Sequence, residues 1–393
     1  VDASAKFTLI LWTKIIAMIP RSIADQVRND LFQSQKVVII YGPRQVGKTT
    51  LVRQLIRELT LKSLEVNADQ IRYHEAFAGR DLSKMQAVIG DAQLLFLDEA
   101  QNIPDIGINL KILHDSLPGL KIIATGSSSF ELANRLQEPL TGRTWTYSLY
   151  PIAVQELATL HTPFELAQQT ESFLRFGMYP DVLQAIGDEA KIRQLRELAS
   201  AYLYKDVLQL SSIKHADKLV RLLKLLAFQA GSPVSLHELG KSLEMNHETV
   251  NSYIDLLEKG FIVFRLSAFS RNLRKEVTKM SKVYFYDTGI RNSLIDNFNP
   301  LELRHDTGAL WENFLVAERR KKVEYQRLFG SAYYWRTYSG AELDYVEERA
   351  GQLLGFEFKW KNTRAKAPAT WFETYPQSTF ECIHRDNFLE FVG

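Results

Sequence analysis

Residues Lys36 to Leu51 read KVVIIYGPRQVGKTTL, and this stretch decides the first domain. After its lysine the run to Tyr41 is continuously apolar, as a parallel strand buried on both faces requires. Gly42 to Thr49 then match the pattern G-x-x-x-x-G-K-[ST]. Leu51, Leu55 and Ile56 follow at helical spacing. The turn Gly42, Pro43, Arg44, Gln45, Val46 and Gly47 exposes backbone N–H groups to an anion, and Gly47 allows close approach. The helix opening at Lys48, Thr49 and Thr50 aims its partial positive charge at the same place. The Lys48 ammonium can reach terminal phosphates, and the Thr49 hydroxyl can ligate Mg2+. ATP and Mg2+ are the ligands this pattern predicts.

Moving outward, LLFLDEA (Leu94 to Ala100) is an apolar strand ending in two carboxylates. Asp98 stands where it can hold Mg2+, and Glu99 can orient or deprotonate an attacking water. KIIATGS (Lys121 to Ser127) predicts a further strand. Ser127 or Thr125 at its carboxyl end would lie beside the γ-phosphate, because ligands bind at the carboxyl ends of parallel strands. In LTGRTW, Arg143 is either a surface arginine or a group that stabilises the transferring phosphoryl charge, from its own chain or from a neighbouring subunit of a homo-oligomer. SLEVNAD (Ser63 to Asp69) is a fourth candidate strand. Strands separated by helical stretches predict an α/β domain with a parallel sheet covered on both faces.

The bulk numbers fit a globular chain of several domains: 393 residues, 46% hydrophobic and 24% charged. A net charge of +2 does not announce a nucleic-acid binder, so any such role rests on local patches. The single cysteine, Cys382, rules out a disulfide within the chain and a four-cysteine zinc site, and fits a cytoplasmic setting. The apolar opening FTLILWTKIIAMI contains Lys14 and is too short to span a bilayer. A start at Met18 would give MIPRSIADQV, so the preceding residues read as an upstream extension rather than a membrane anchor.

Farther on, SLHELGKSLEMNHETVNSYIDLLEKG has helix-turn-helix spacing. Leu236, Leu239 and Leu243 line the first helix, Val250, Tyr253, Ile254 and Leu257 the second, and Asn246 is its candidate N-cap. His247, Glu248, Asn251 and Ser252 would form the exposed face of the second helix, which is not strongly basic. A basic span follows between two strand-like runs. Its residues Arg271, Arg274, Lys275, Lys279 and Lys282 form a candidate wing that would contact DNA phosphates.

Near the C-terminus, Leu354, Phe356, Phe358 and Trp360 alternate, so Glu357 and Lys359 share the opposite face of a strand. With Asp344 on the neighbouring strand, Asp344 and Glu357 could hold one Mg2+, with Lys359 beside its water and Glu312 as an outer carboxylate. Glu347 and Glu348 read as solvated residues of the intervening turn.

YGPRQVGKTTL, LLFLDEAQ, ATGSSSFEL and LTGR together resemble the AAA-like, STAND-related P-loop ATPases of bacteria and archaea that carry a C-terminal domain of the DUF4143 type. FLRFGMYPDVL, YLYKDVL and LWENFLVAE carry the same resemblance. It implies an extension over residues 1–17, an ATPase core over 18–150, a helical lid over 151–212, a winged helix over 213–285 and an α/β nuclease-like domain over 286–393. Asp344, Glu357 and Lys359 fall on the motif positions of the PD-(D/E)xK nucleases, although Leu343 replaces the motif's proline. The expectation is an ATPase coupled to DNA binding and metal-dependent DNA processing. The alternative is a regulatory ATPase whose C-terminal regions bind protein partners and cut nothing.

Overall fold

The computed structural model describes residues 19–126, 139–201, 215–271, 280–362 and 365–393. The chain divides into two compact units, one formed by residues 20–150 with 259–261 and the other chiefly by 151–258 and 262–393. The stretches expected to form a lid, a winged helix and a nuclease-like domain thus belong to a single unit.

The first unit is built on a five-stranded sheet of order β2-β3-β4-β1-β5. Its strands are β1 (Val37–Tyr41), β2 (Ser63–Asn67), β3 (Leu94–Asp98), β4 (Lys121–Gly126) and β5 (Thr144–Ser148). Every pairing is parallel. All residues of β1 and β3 are buried, as their unbroken apolar runs require. Helices Lys48–Leu59 and Ile106–Ser116 pack Leu51, Val52 and Leu55, and Leu110 and Leu113, into the core. This is the parallel α/β sheet of a P-loop NTPase, and it gathers the carboxyl ends of β1, β3 and β4 along one edge. Strand β5 was not expected. Its sequence, TWTYS, alternates, and it occupies a sheet edge where Trp145 stays partly exposed. There Trp145 receives the Lys36 ammonium 4.1 Å from its ring centroid and donates its indole N–H to Ser34 Oγ at 2.9 Å.

The second unit begins with helices. Thr162 and Glu165 form a reciprocal cap on helix Pro163–Phe176, with Pro163 in its first turn. Helices Leu236–Leu243 and His247–Lys259 follow with the expected buried stripes, Leu236 alone remaining half-exposed. Asn246 Oδ1 accepts the Thr249 N–H at 2.6 Å, the predicted cap. The turn between these helices is so tight that a Cβ on Gly240 would lie 2.6 Å from the Met245 carbonyl oxygen. Strands β6 (Pro233–Val234), β7 (Val263–Leu266) and β8 (Ser281–Phe285) form an antiparallel sheet of order β6-β8-β7.

Helix Thr307–Tyr325 then leads to strands β9 (Ser331–Arg336), β10 (Glu342–Arg349), β11 (Gln352–Phe358) and β12 (Thr379–Ile383), in the order β12-β11-β10-β9. Strands β10 and β11 close in a tight turn at Ala350 and Gly351, both at positive φ. The sheet is covered on both faces. One carries Leu343, Leu353, Trp335 and Trp371, and the other brings Tyr345, Phe356 and Phe358 against Phe391. An isolated bridge between Ala268 and Tyr334 ties the segment after β7 to β9.

Candidate functional site

The residues predicted to hold phosphate come together at the carboxyl edge of the first sheet. Gly42 has φ 154°, and a Cβ there would lie 2.1 Å from the Leu149 carbonyl oxygen, so only glycine fits. Gly47, at φ 95°, opens helix Lys48–Leu59, and no side chain caps that first turn. Lys48 is 5% exposed, and its ammonium donates to the carbonyls of Gly42 at 2.9 Å and Pro43 at 2.8 Å. Within the loop, Val46 is buried, whereas Arg44 is half-exposed and Gln45 and Thr50 are exposed.

Thr49 Oγ1 donates to the Asp98 carboxylate at 2.9 and 3.1 Å, and Thr125 Oγ1 donates to the same carboxylate at 2.5 Å. Pairing of Leu97 with Ala124 places Asp98 and Thr125 side by side at the strand ends. Glu99 adopts a left-handed backbone, φ 53°, which turns the chain away after β3. Its carboxylate accepts from Gln101 Nε2 at 2.6 Å. A hydroxyl and a carboxylate in contact, beside a lysine and a helix N-terminus, are the groups a magnesium nucleotide takes. Ser127 lies outside the described residues.

Arg21 escaped the sequence reading. Its guanidinium donates to the carbonyls of Val46 at 2.5 Å and Tyr150 at 2.7 Å, linking the phosphate loop to the chain after β5. Nothing in MIPRSIADQV signals this, because both partners are backbone atoms remote in sequence.

Arg143 is not brought to the phosphate loop of its own chain. Its carbonyl accepts from Val37 N–H, at the amino end of β1, and its guanidinium pairs with Asp115 at 2.9 Å. The phosphate loop leaves the opposite end of β1, roughly 3.3 Å per residue away over five residues.

The C-terminal carboxylates also meet, though not as expected. Across β10 and β11, Asp344 stands one step beyond the Tyr345–Phe356 pair and accepts the Phe358 N–H at 2.8 Å. Glu357 pairs with Lys359 at 2.7 Å. Among these groups sits a cation the sequence had assigned to a DNA-contacting wing. Lys282 is 2% exposed, and its ammonium lies 3.0 Å from Glu312, 2.7 Å from Glu342 and 3.9 Å from Asp344. Tyr284 donates its hydroxyl to Glu312 at 2.6 Å.

Burial pulls the Lys282 pKa down, yet Glu312, Asp344 and Glu342 together hold it above the usual lysine range. Burial, reinforced by Glu312 and Glu357, pushes Asp344 up to about 8 against the pull of Lys282. Burial likewise raises Glu312. The hydrogen bond to Glu357 raises Lys359. Among the described residues, no group of three or more acidic, histidine or cysteine side chains is spaced to hold a metal ion. Mg2+ therefore does not fit this cluster as it stands: an ammonium fills its centre.

Two further expectations are corrected. Lys282 is not available to DNA phosphate, and Arg271 pairs with Glu348 at 3.6 Å, while Arg274, Lys275 and Lys279 lie outside the described residues. Glu347 belongs to β10 rather than to the turn, is 2% exposed, and accepts two hydrogen bonds from Arg319, at 2.7 and 3.0 Å.

Comparison with known proteins gives three matched segments. Residues 34–158 match an AAA domain, 167–301 a domain of unknown function, DUF8612, and 307–379 a domain of unknown function, DUF4143. An uncharacterized protein of Mycobacterium tuberculosis is 30% identical over 347 residues, covering 87% of this chain and 74% of the relative. An uncharacterized protein of Methanocaldococcus jannaschii is 25% identical over 315 residues, covering 75% of this chain and 69% of the relative. The replication factor C large subunit of Thermofilum pendens is 29% identical over 119 residues, 26% of this chain and 28% of that protein. The chain belongs to the same family as the mycobacterial protein, and it carries an AAA domain of the P-loop ATPase class and a C-terminal DUF4143 domain. Among the described residues, no helix is long and apolar enough to cross a membrane.

Proposed function

We propose that this member of the AAA-domain family binds ATP with Mg2+ and hydrolyses it, using the phosphate-loop residues and the paired carboxylates Asp98 and Glu99. The observation that carries this reading is the meeting of Lys48, Thr49, Asp98 and Thr125 at one sheet edge. When bound, Mg2+ neutralises phosphate charge; Thr49 and Asp98 are the residues that would hold it. Lys48 would exchange its two carbonyl partners for phosphate oxygens. Glu99 orients the attacking water and takes its proton, and Gln101 holds that carboxylate by a hydrogen bond until it is needed.

Lys48→Ala is expected to abolish ATP binding, measured by titration calorimetry. Glu99→Gln is expected to keep binding and to lower turnover by about 10²–10⁴-fold, the usual contribution of a general base. Unchanged ATP affinity in Lys48→Ala would sink the assignment.

The output of turnover is read as regulation of a protein partner by the second unit. The face of helix His247–Lys259 supports this: His247 and Glu248 are exposed there, and Asn251 is engaged by Arg265 and Asp255. A second reading couples turnover to DNA, and the likeness over 119 residues to a replication factor C large subunit favours it. ATP hydrolysis measured with and without DNA at low salt separates the two. Stimulation by DNA supports the second reading, and DNA-independent turnover the first.

A further inference from the structure

The residues that follow Met280 place a lysine where a metal-dependent nuclease would need a cation. Lys282 comes from β8, the central strand of the three-stranded sheet. Its partners come from elsewhere: Glu312 from helix Thr307–Tyr325, and Glu342 and Asp344 from β10. The surroundings fix it in place. Tyr284, two residues along the same strand, binds the same Glu312 oxygen at 2.6 Å. The ring of Tyr334 lies 5.4 Å from the ammonium, and its hydroxyl donates to the Met280 carbonyl at 2.6 Å. Behind the cluster, Asn313 closes the end of β8 with two hydrogen bonds to Phe285, at 2.8 and 2.9 Å. Gly231, at φ 79°, leaves room for the Glu312 carboxylate, which would lie 3.3 Å from a Cβ there.

We propose that Lys282 is a built-in cation: its ammonium takes the place of a divalent ion among Glu312, Glu342 and Asp344, so this cluster is closed to Mg2+ and Mn2+ and does not cleave phosphodiesters. Each carboxylate has a protein partner without an external ion: Lys282 and Tyr284 hold Glu312, Lys282 and Arg336 hold Glu342, and Asp344 accepts from the Phe358 N–H, as buried polar groups require. Lysine suits the task because its ammonium is compact and offers three donors. Glu357 and Lys359 already neutralise each other on the far side of Asp344. Without the ammonium, the Glu312 and Glu342 oxygens would lose their shared cation, and with Asp344 drawing in beside them they would take a hard divalent ion in its place. The inference goes beyond the ATPase reading and is tested separately from it, in the absence of nucleotide.

The test is Mn2+ binding to the full chain followed by electron paramagnetic resonance. Four proteins are compared: wild type, Asp344→Asn, Lys282→Met and the double variant Lys282→Met with Asp344→Asn. Circular dichroism reports folding of each. The expected result is that wild type and Asp344→Asn bind Mn2+ alike. Lys282→Met gains one site, tighter by at least tenfold than any in wild type, and the double variant loses it. Wild-type Mn2+ binding that disappears in Asp344→Asn would overturn the proposal. So would a folded Lys282→Met chain that takes up no additional Mn2+. If Lys282→Met does not fold, the comparison of wild type with Asp344→Asn decides alone: equal binding supports the built-in cation, and a loss overturns it.

Discussion

Arg21 holds the phosphate loop without belonging to its motif. Its two hydrogen bonds end on carbonyls that the motif cannot specify, at Val46 and Tyr150. A bond from a charged donor contributes about 1.5–3 kcal/mol, so losing both would loosen the loop that must fit the phosphates. Arg21→Ala is expected to weaken ATP binding about tenfold, equivalent to about 1.4 kcal/mol. Titration of a fluorescent ATP analogue measures this, and an affinity equal to wild type would dismiss the role. At this scale the sequence was readable where chemistry is local. Gly42, Gly47, Lys48, Thr49 and Asp98 carry their meaning in spacing alone. Lys282 does not, because it closes a span rich in basic residues, with Arg274, Lys275 and Lys279 before it, and its partners lie 30 residues or more downstream. A local count of charges therefore took it for part of a DNA-contacting wing.

At the scale of elements, the hairpin of β10 and β11 shows how far alternation can be trusted. Alternation placed Phe356 and Phe358 on one face and Glu357 on the other, and both placements hold. It could not tell that the second face is covered too, with Leu353 and Leu343 packed under Trp371. Nor could it tell that Glu347 is buried, since Arg319 arrives from a helix 28 residues earlier. Strand β5 was missed for a related reason: an edge strand needs only one paired side, and TWTYS lacks the apolar run of β1.

Covering both faces has an electrostatic result that can be measured. With its pKa pushed up to about 8, Asp344 binds a proton more tightly in the folded hairpin than in the unfolded chain. The folded state then holds the extra proton between about pH 4 and pH 8, so its stability falls as pH rises through that window. Urea unfolding of wild type should show this decline, and Asp344→Asn should flatten it. Identical slopes in the two proteins would show that Asp344 is not the group responsible.

For the whole molecule, the division into two compact units matters more than the four parts read from the sequence. The resemblance put a boundary between residues 150 and 151, and the main part of the second unit begins at Pro151. The resemblance could not show that the later segments join in one compact unit, because that depends on contacts such as Glu318 Oε2 accepting from Val154 N–H at 2.7 Å, 164 residues away. Each unit has its own buried core, so calorimetry is expected to resolve two unfolding transitions. A ligand stabilises only what it binds, by about 2.7 kcal/mol at a concentration one hundred times its Kd. Mg2+ and ATP should therefore raise the transition of the 20–150 unit and leave the other in place. A shift of both transitions together, or a single transition, would show that the units unfold as one.

The position of Lys282 bears finally on how this architecture can be divided and recombined. The chain offers a boundary between residues 301 and 307, where one family match ends and the next begins. The charge balance ignores it. A fragment opening at Thr307 would carry Glu312, Glu342 and Asp344 away from the lysine that answers them. The C-terminal segment is thus not a self-contained module to be joined to any ATPase; it has to travel with the strand that precedes it.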